Sequence, residues 1–263
     1  MLNMKRLALC FCLFAISQIA SSQIGLSHEI GVVAGPVQLR SDFGLRGNTK
    51  TNFENSGFGV GIVHYLNFYS IAQYSPNNYF SDHFKLRNEI SYNKTQLEHH
   101  GGLVDPSKNS PDANKLRGHT AVASNVNVGT QLEFFPLSIR AFEAFDYTFM
   151  PYASLGVNYT LYTPTVKTTY ANPNPLAVGD VTNPTNFYSG WAPGSVDTSQ
   201  GNTFSLTGSI GLRYKLGRVS DLVLDLKGQY YLSDWVDGLN HNLPSNKSND
   251  WLIWLNVGYI FYL

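Results

Sequence analysis

The sequence predicts an all-β fold, an eight-stranded antiparallel transmembrane β-barrel of the outer-membrane type with long outward loops and short periplasmic turns. Three observations carry the expectation. Several segments of ten or more residues alternate apolar with polar or small side chains, which a helix would scramble within two turns. Residues 1–23 have the layout of a secretory signal. Past that leader, no stretch holds 18 continuous apolar residues, so spanning by helices is excluded.

The leader reads Lys5 and Arg6, then the apolar run "LALCFCLFAI", then the small and polar "SQIASSQ", with cleavage expected near Ser22 or Gln23. Cys10 sits at the start of the apolar run rather than its end, which argues against lipidation. The mature chain is expected to be a single domain, residues 24–263. It would lose both cysteines, Cys10 and Cys12, and with them any disulfide or thiol chemistry. Losing Lys5 and Arg6 takes the basic residues from 18 to 16 against 18 acidic ones. A net charge near −2 offers nucleic acid no counter-charge. Aromatic residues make up 14% of the chain, enough to supply girdles at two membrane interfaces.

In chain order, residues 24–36 form a glycine-rich first strand ended by Pro36, which cannot donate to a ladder. Residues 57–70 set Phe58, Val60, Ile62, Leu66 and Phe68 on one face, with His64 among them. Residues 82–97 oppose Phe84, Leu86, Ile90 and Tyr92 to Lys85, Arg87, Glu89 and Ser91, and Asn88 breaks the apolar face. Residues 122–134 oppose Val122, Val126, Val128, Leu132 and Phe134 to Asn125, Asn127, Gln131 and Glu133. Residues 150–161 place Ala153, Leu155, Val157, Tyr159 and Leu161 against Tyr152, Ser154, Gly156, Asn158 and Thr160. The clearest alternations are 204–216, with Arg213 and Lys215 on the polar face, and 222–232, with Asp225, Lys227 and Gln229 there. The last strand, 251–263, turns Trp251, Ile253, Leu255, Val257, Tyr259 and Phe261 to one side. Long polar connections at 37–56, 98–116, 164–200 and 234–249 alternate with shorter ones at 71–81, 135–146 and 217–220, the asymmetry of outer-membrane barrels. An even strand count closes the sheet and leaves no edge in lipid.

The final residues resemble the terminal signal that outer-membrane assembly machinery reads on many barrels, polar–x–Gly–x–x–apolar–x–apolar. Asn256, Gly258, Phe261 and Leu263 match it, with Leu263 where Phe is usual. "SHEIGVVAGPV", "GVGIVHYLNF", "DHFKLRNEISYNKTQLEHHG", "QLEFFPLSIR" and "YYLSDWVDGLNH" resemble a family of small outer-membrane β-barrel proteins of Bacteroidetes, mainly flavobacteria. The similarity spans most of the mature chain and is weakest in 164–200. The resemblance implies compartment and fold, and no agreed activity.

Chemistry-bearing residues are sparse. "GFGVG" at 57–61 lacks the third glycine of a dinucleotide loop, Ile62 standing there, and no helix pattern follows. "SDWVDGLNH" brings Asp234, Asp237, Asn240 and His241 to the outer rim, and "EHHGG" adds Glu98, His99 and His100. These could converge on a cation or act on lipid headgroups, but calcium loops need denser, regularly spaced oxygens. Asp-Gly and Asn here more simply turn the chain, with Trp235 anchored at the interface. Lys85, Arg87, Glu89, Glu133, Arg213, Lys215, Asp225 and Lys227 fall on the inward faces. An eight-stranded barrel is only wide enough for side chains to fill, so these charges must pair, as a structural network rather than a pore.

The expected protein is therefore a non-enzymatic structural or interaction barrel without a cofactor. Its partners would be outer-membrane lipid, the assembly machinery during biogenesis and another outer-membrane protein, for instance as an accessory subunit of an assembly, export or surface complex. The alternative is an outer-membrane lipid-modifying enzyme using rim His and Asp.

Overall fold

The computed structural model describes residues 26–43, 49–68, 79–170, 183, 186–241, 243 and 248–263; the leader, with Cys10 and Cys12, lies outside them. Eight strands form one closed antiparallel barrel in sequence order: β1 Ser27–Arg40, β2 Ser56–Asn67, β3 Phe84–Glu98, β4 His119–Phe134, β5 Phe149–Thr168, β6 Gly201–Gly217, β7 Ser220–Tyr231 and β8 Trp251–Tyr262. Each strand pairs with the next, and β1 closes on β8 from Glu29↔Tyr262 to Arg40↔Trp251. Among the described residues no helix is long and apolar enough to cross a membrane, which says nothing against crossing by strands.

The alternation read from the sequence sorts cleanly into two faces. Outward residues are apolar and exposed: Leu155 at 77%, Val257 at 58% and Leu224 at 50%. The residues between them, such as Asp225, Lys227, Trp254 and Asn256, are buried inside. A soluble fold would bury the first set. Here the outside is apolar and the inside polar, the inversion that lipid requires.

Among the described residues four short helices lie in the connections: α1 Thr49–Phe53, α2 Tyr79–His83, α3 Pro111–Gly118 and α4 Ile139–Glu143. α3 begins with Pro111 at its first turn, and Ser110 accepts from Ala113 N at 3.2 Å. Ser138 caps α4 in the same way, accepting from Ala141 N at 3.1 Å. Tyr79, Phe80, Phe84 and Phe134 stack into an aromatic patch where α2 meets the barrel wall with His83.

Strand boundaries shift by a few residues from the sequence reading, and three of the shifts have a clear physical cause. Pro36 does not end the first strand, because β1 runs on to Arg40. Its pairing with β2 continues through Gly35↔Gly59 and Pro36↔Phe58, whereas pairing with β8 omits both residues and resumes at Val37↔Trp254. The missing donor is absorbed as a short gap on one side of the strand. β3 starts at Phe84 rather than residue 82, because α2 holds the preceding residues. β5 continues through Pro164 to Thr168, so the outward connection begins later than residue 164. Proline is tolerated there because pairing with β6 ends at Tyr162↔Gly201, leaving Pro164 with one neighbouring strand.

The β1–β8 seam is tight at Gly35, where an added Cβ would lie 1.9 Å from the Leu255 carbonyl oxygen. Gly35→Ala should therefore force the closing strands apart, lowering the heat-resistant folded fraction on a detergent gel. Gly102→Ala, where nothing lies within 4 Å, should leave that fraction unchanged. Equal folded fractions for the two variants would show that the seam is not closely packed there.

Candidate functional site

Two constellations follow from the faces just described, one inside the barrel and one over its outer mouth. The interior set is a continuous ion-pair network. Glu29 on β1 accepts from Lys85 and, at 2.6 Å, from Arg213. Arg213 also reaches Glu133 and Asp221, each at 3.6 Å, and Lys215 lies 3.4 Å from Asp221. Arg87 joins Glu89 at 2.8 Å, Asp225 at 3.4 Å and Glu133 at 3.5 Å, and Lys227 completes the set on Glu89. Neutral groups bring in the remaining strands. Tyr152 on β5 donates to Asp225 at 2.9 Å, and Asn256 on β8 does so at 3.2 Å. Tyr65 on β2 lies beneath the Arg213 guanidinium at 4.2 Å. All eight strands are thus tied to one buried charge cluster.

Above the charges, Gln229 Nε2 donates to Ser205 Oγ at 2.8 Å and Asn127 Oδ1 at 2.9 Å, and Asn125 donates to Asn93 Oδ1 at 3.0 Å. At the other end the helix α4 inserts buried Ile139 and Phe142, and the Lys215 ammonium sits 5.1 Å over the Phe142 ring. Side chains therefore fill the barrel from end to end. Sequence reasoning named eight of the charged residues and missed Glu29 and Asp221. Strand parity would have found both: Glu29 alternates with Ile30, and Asp221 with Leu222, the same rule that selected the others.

The second constellation closes the mouth. Phe43, from the β1–β2 connection, stacks on His99 (ring centroids 4.6 Å apart) and on His119 (5.2 Å, 4° between planes). His99 Nε2 and His119 Nδ1 are 3.1 Å apart. Trp191, from the β5–β6 connection, meets His119 edge-on at 5.1 Å and stacks on His241, from the β7–β8 connection, at 5.6 Å. Carboxylates bind the same segments through backbone amides. Asp237 accepts from Asp42 N at 3.0 Å and Leu239 N at 2.8 Å, and Asp42 accepts from His241 N at 3.2 Å. Burial pushes the Asp237 carboxyl up to about 7, against the amides that lower it, while burial and the neighbouring imidazoles hold His99 well below the usual histidine range.

The rim residues picked from sequence thus divide. Asp237, His99 and His241 come together in the cap, while His100 pairs with Glu54 at 2.6 Å and Asp234 stays half-buried at the rim. Glu98 is exposed, its backbone N–H donating to Asn55 Oδ1 at 2.9 Å. Asp237 lies fully inside, its oxygens occupied by amides, so it does not face lipid headgroups. Phe43, His119 and Trp191 escaped the sequence reading because their partners lie in other connections. Among the described residues no group of three or more His, Cys, Asp or Glu is placed to hold a metal ion. "GFGVG" lies within β2, with no helix behind it to bind phosphate.

Of the terminal residues, Asn256 and Gly258 point inward and Phe261 and Leu263 lie exposed. Leu263 N donates to His28 O at 2.9 Å, so pairing with β1 reaches this residue.

No family profile matches the chain, and no curated protein matches it. Among solved structures it is similar to Ail, the attachment invasion locus protein of Yersinia pestis, at 9% identity and a TM-score of 0.42 over 90% of this chain and 99% of that one. It is also similar to a major outer membrane protein from Thermus thermophilus (13% identity, TM-score 0.47, 90% and 99% covered). A third likeness is to the outer membrane protein OprG of Pseudomonas aeruginosa (14%, 0.36, 90% and 94%). Likeness at this level carries no argument about activity or partners.

The ion network generates a direct expectation. Arg213→Met takes one cation from each of Glu29, Glu133 and Asp221, leaving them Lys85, Arg87 and Lys215. Breaking a buried set by removing one partner costs about 3–5 kcal/mol. Urea unfolding in lipid vesicles should register a loss of that order. A loss below about 1 kcal/mol would mean that water reaches the network, as for an exposed pair.

Proposed function

We propose that this chain is an outer-membrane β-barrel that works as a non-enzymatic structural or interaction protein, exported through the cleaved leader of residues 1–23. The observation that carries the reading is the inverted barrel itself, with an apolar wall outside and an interior filled by paired charges. The exposed wall supports a lipid environment, since a closed barrel is one of two ways a chain can satisfy its backbone in hydrocarbon. The filled interior argues against a porin role. What remains for the protein to offer is its wall and its outer connections. The described parts of the outer connections meet in one cap, a surface for another outer-membrane protein, as an accessory subunit would present.

The terminal residues fit the same reading. Asn256 and Gly258 serve the interior and the seam, and Phe261 and Leu263 offer apolar side chains to the assembly machinery during biogenesis. The lipid-modifying alternative has no observation in its favour, because the rim carboxylate Asp237 is enclosed and committed to amides.

Orientation and surface role are tested together by tagging. A peptide tag inserted at Gly190 should be labelled on intact cells, and crosslinking from it should capture another outer-membrane protein. A tag between Arg218 and Val219 should be labelled only after the membrane is breached. Reversed labelling would overturn the orientation. A lipid A mass spectrum that changes when the chain is deleted and is restored by the wild type but not by His241→Ala would overturn the non-enzymatic reading.

A further inference from the structure

The His99–His119 contact is the one place where two titratable rings meet over the mouth without a carboxylate on either, among the described residues. His99 follows β3 directly, and His119 begins β4. Their shared stacking partner Phe43 comes from the first outer connection, Trp191 from the third, and His241, under Trp191, from the fourth. One aromatic–imidazole cluster therefore joins all four outer connections.

We propose that this cluster is an acid-released latch: protonation of His99 and His119 breaks their contact and frees the outer connections from one another. A hydrogen bond between two neutral imidazoles needs one N–H facing one lone pair. When both rings are protonated, both facing nitrogens carry hydrogen, and a 3.1 Å contact between two cations is lost. The packing offers little relief. Phe43 and Trp191 cover the faces and edges of the rings, and burial among them disfavours charge.

The other charged groups around the latch are Asp42, Asp237, His241, His100 and Glu54. Asp42 and Asp237 hold backbone amides, and His100 pairs with Glu54. His241 stacks on Trp191 and adds a third positive charge to the cluster when protonated. Histidines held neutral by the closed cap bind more protons once it opens. Closure is therefore favoured above the ordinary histidine value near 6.5 and weakens as the pH falls below it. Asp237 works in the opposite sense. Its carboxyl is raised to about 7 in the closed cap, so acid stabilises the closed form through that group, and loosening on acidification cannot come from it.

The test reads the distance between connections rather than an activity. In the chain of residues 24–263, which holds no cysteine, spin labels at Lys50→Cys and Gly190→Cys report the separation of the first and third connections in the reconstituted barrel. The expected wild-type result is a narrow distance distribution at pH 8 that broadens reversibly at pH 4.5. In His99→Gln/His119→Gln the broadening on acidification should vanish, leaving at most the opposite tightening that protonation of Asp237 brings. A wild-type distribution unchanged between the two pH values, or an acid broadening that survives in the double variant, would overturn the latch. A detergent-gel heat shift on each sample establishes that the barrel itself is folded.

Discussion

A closed sheet of eight strands leaves an interior that only side chains can fill, and here much of that filling is charged. Lys85, Arg87, Arg213, Lys215 and Lys227 meet Glu29, Glu89, Glu133, Asp221 and Asp225, and none can reach water in the closed barrel. Such charges are tolerable only when the set is complete, since removing one partner strands another. Completeness in turn requires that every strand sit in one register, because a slip of one residue would turn the charges toward lipid. The network thus does little for net stability compared with apolar filling, and much for specifying a single arrangement of the strands.

The same economy governs the two ends. At one end α4 inserts Ile139 and Phe142 beneath the charges, and at the other Phe43, His99, His119, Trp191 and His241 pack over the mouth. The outer connections are long, and long connections lose much entropy on ordering. Shared rings and the Asp42 and Asp237 carboxylates offset that loss by serving several segments at once. The described parts of the four outer connections are thereby joined in one cluster over the mouth.

What could be read from the sequence follows from which interactions are local. The two faces of each strand are set by parity alone, so Leu222, Leu224 and Leu226 outside and Asp225 and Lys227 inside were legible. Closure and strand number followed from counting such segments. Pro36 reads as a strand end in the sequence, and the connection at 164–200 starts too early, because proline tolerance depends on which neighbour is present, and neighbours are not visible in a single strand. The short helices α1, α2 and α4 cover little more than one turn, too few residues to show a helical period. His119 was invisible for a different reason: its meaning lies in Phe43 and Trp191, each from a separate connection.

The interior is filled by buried, mutually paired charges rather than open. Conductance across a planar lipid bilayer at neutral pH measures that directly. The filled barrel should add no steady current above the bare membrane when inserted, whatever the salt. A stable, ohmic conductance from the folded wild-type chain would mean that water and ions pass the charge network, and the reading of the interior as a structural core would be wrong.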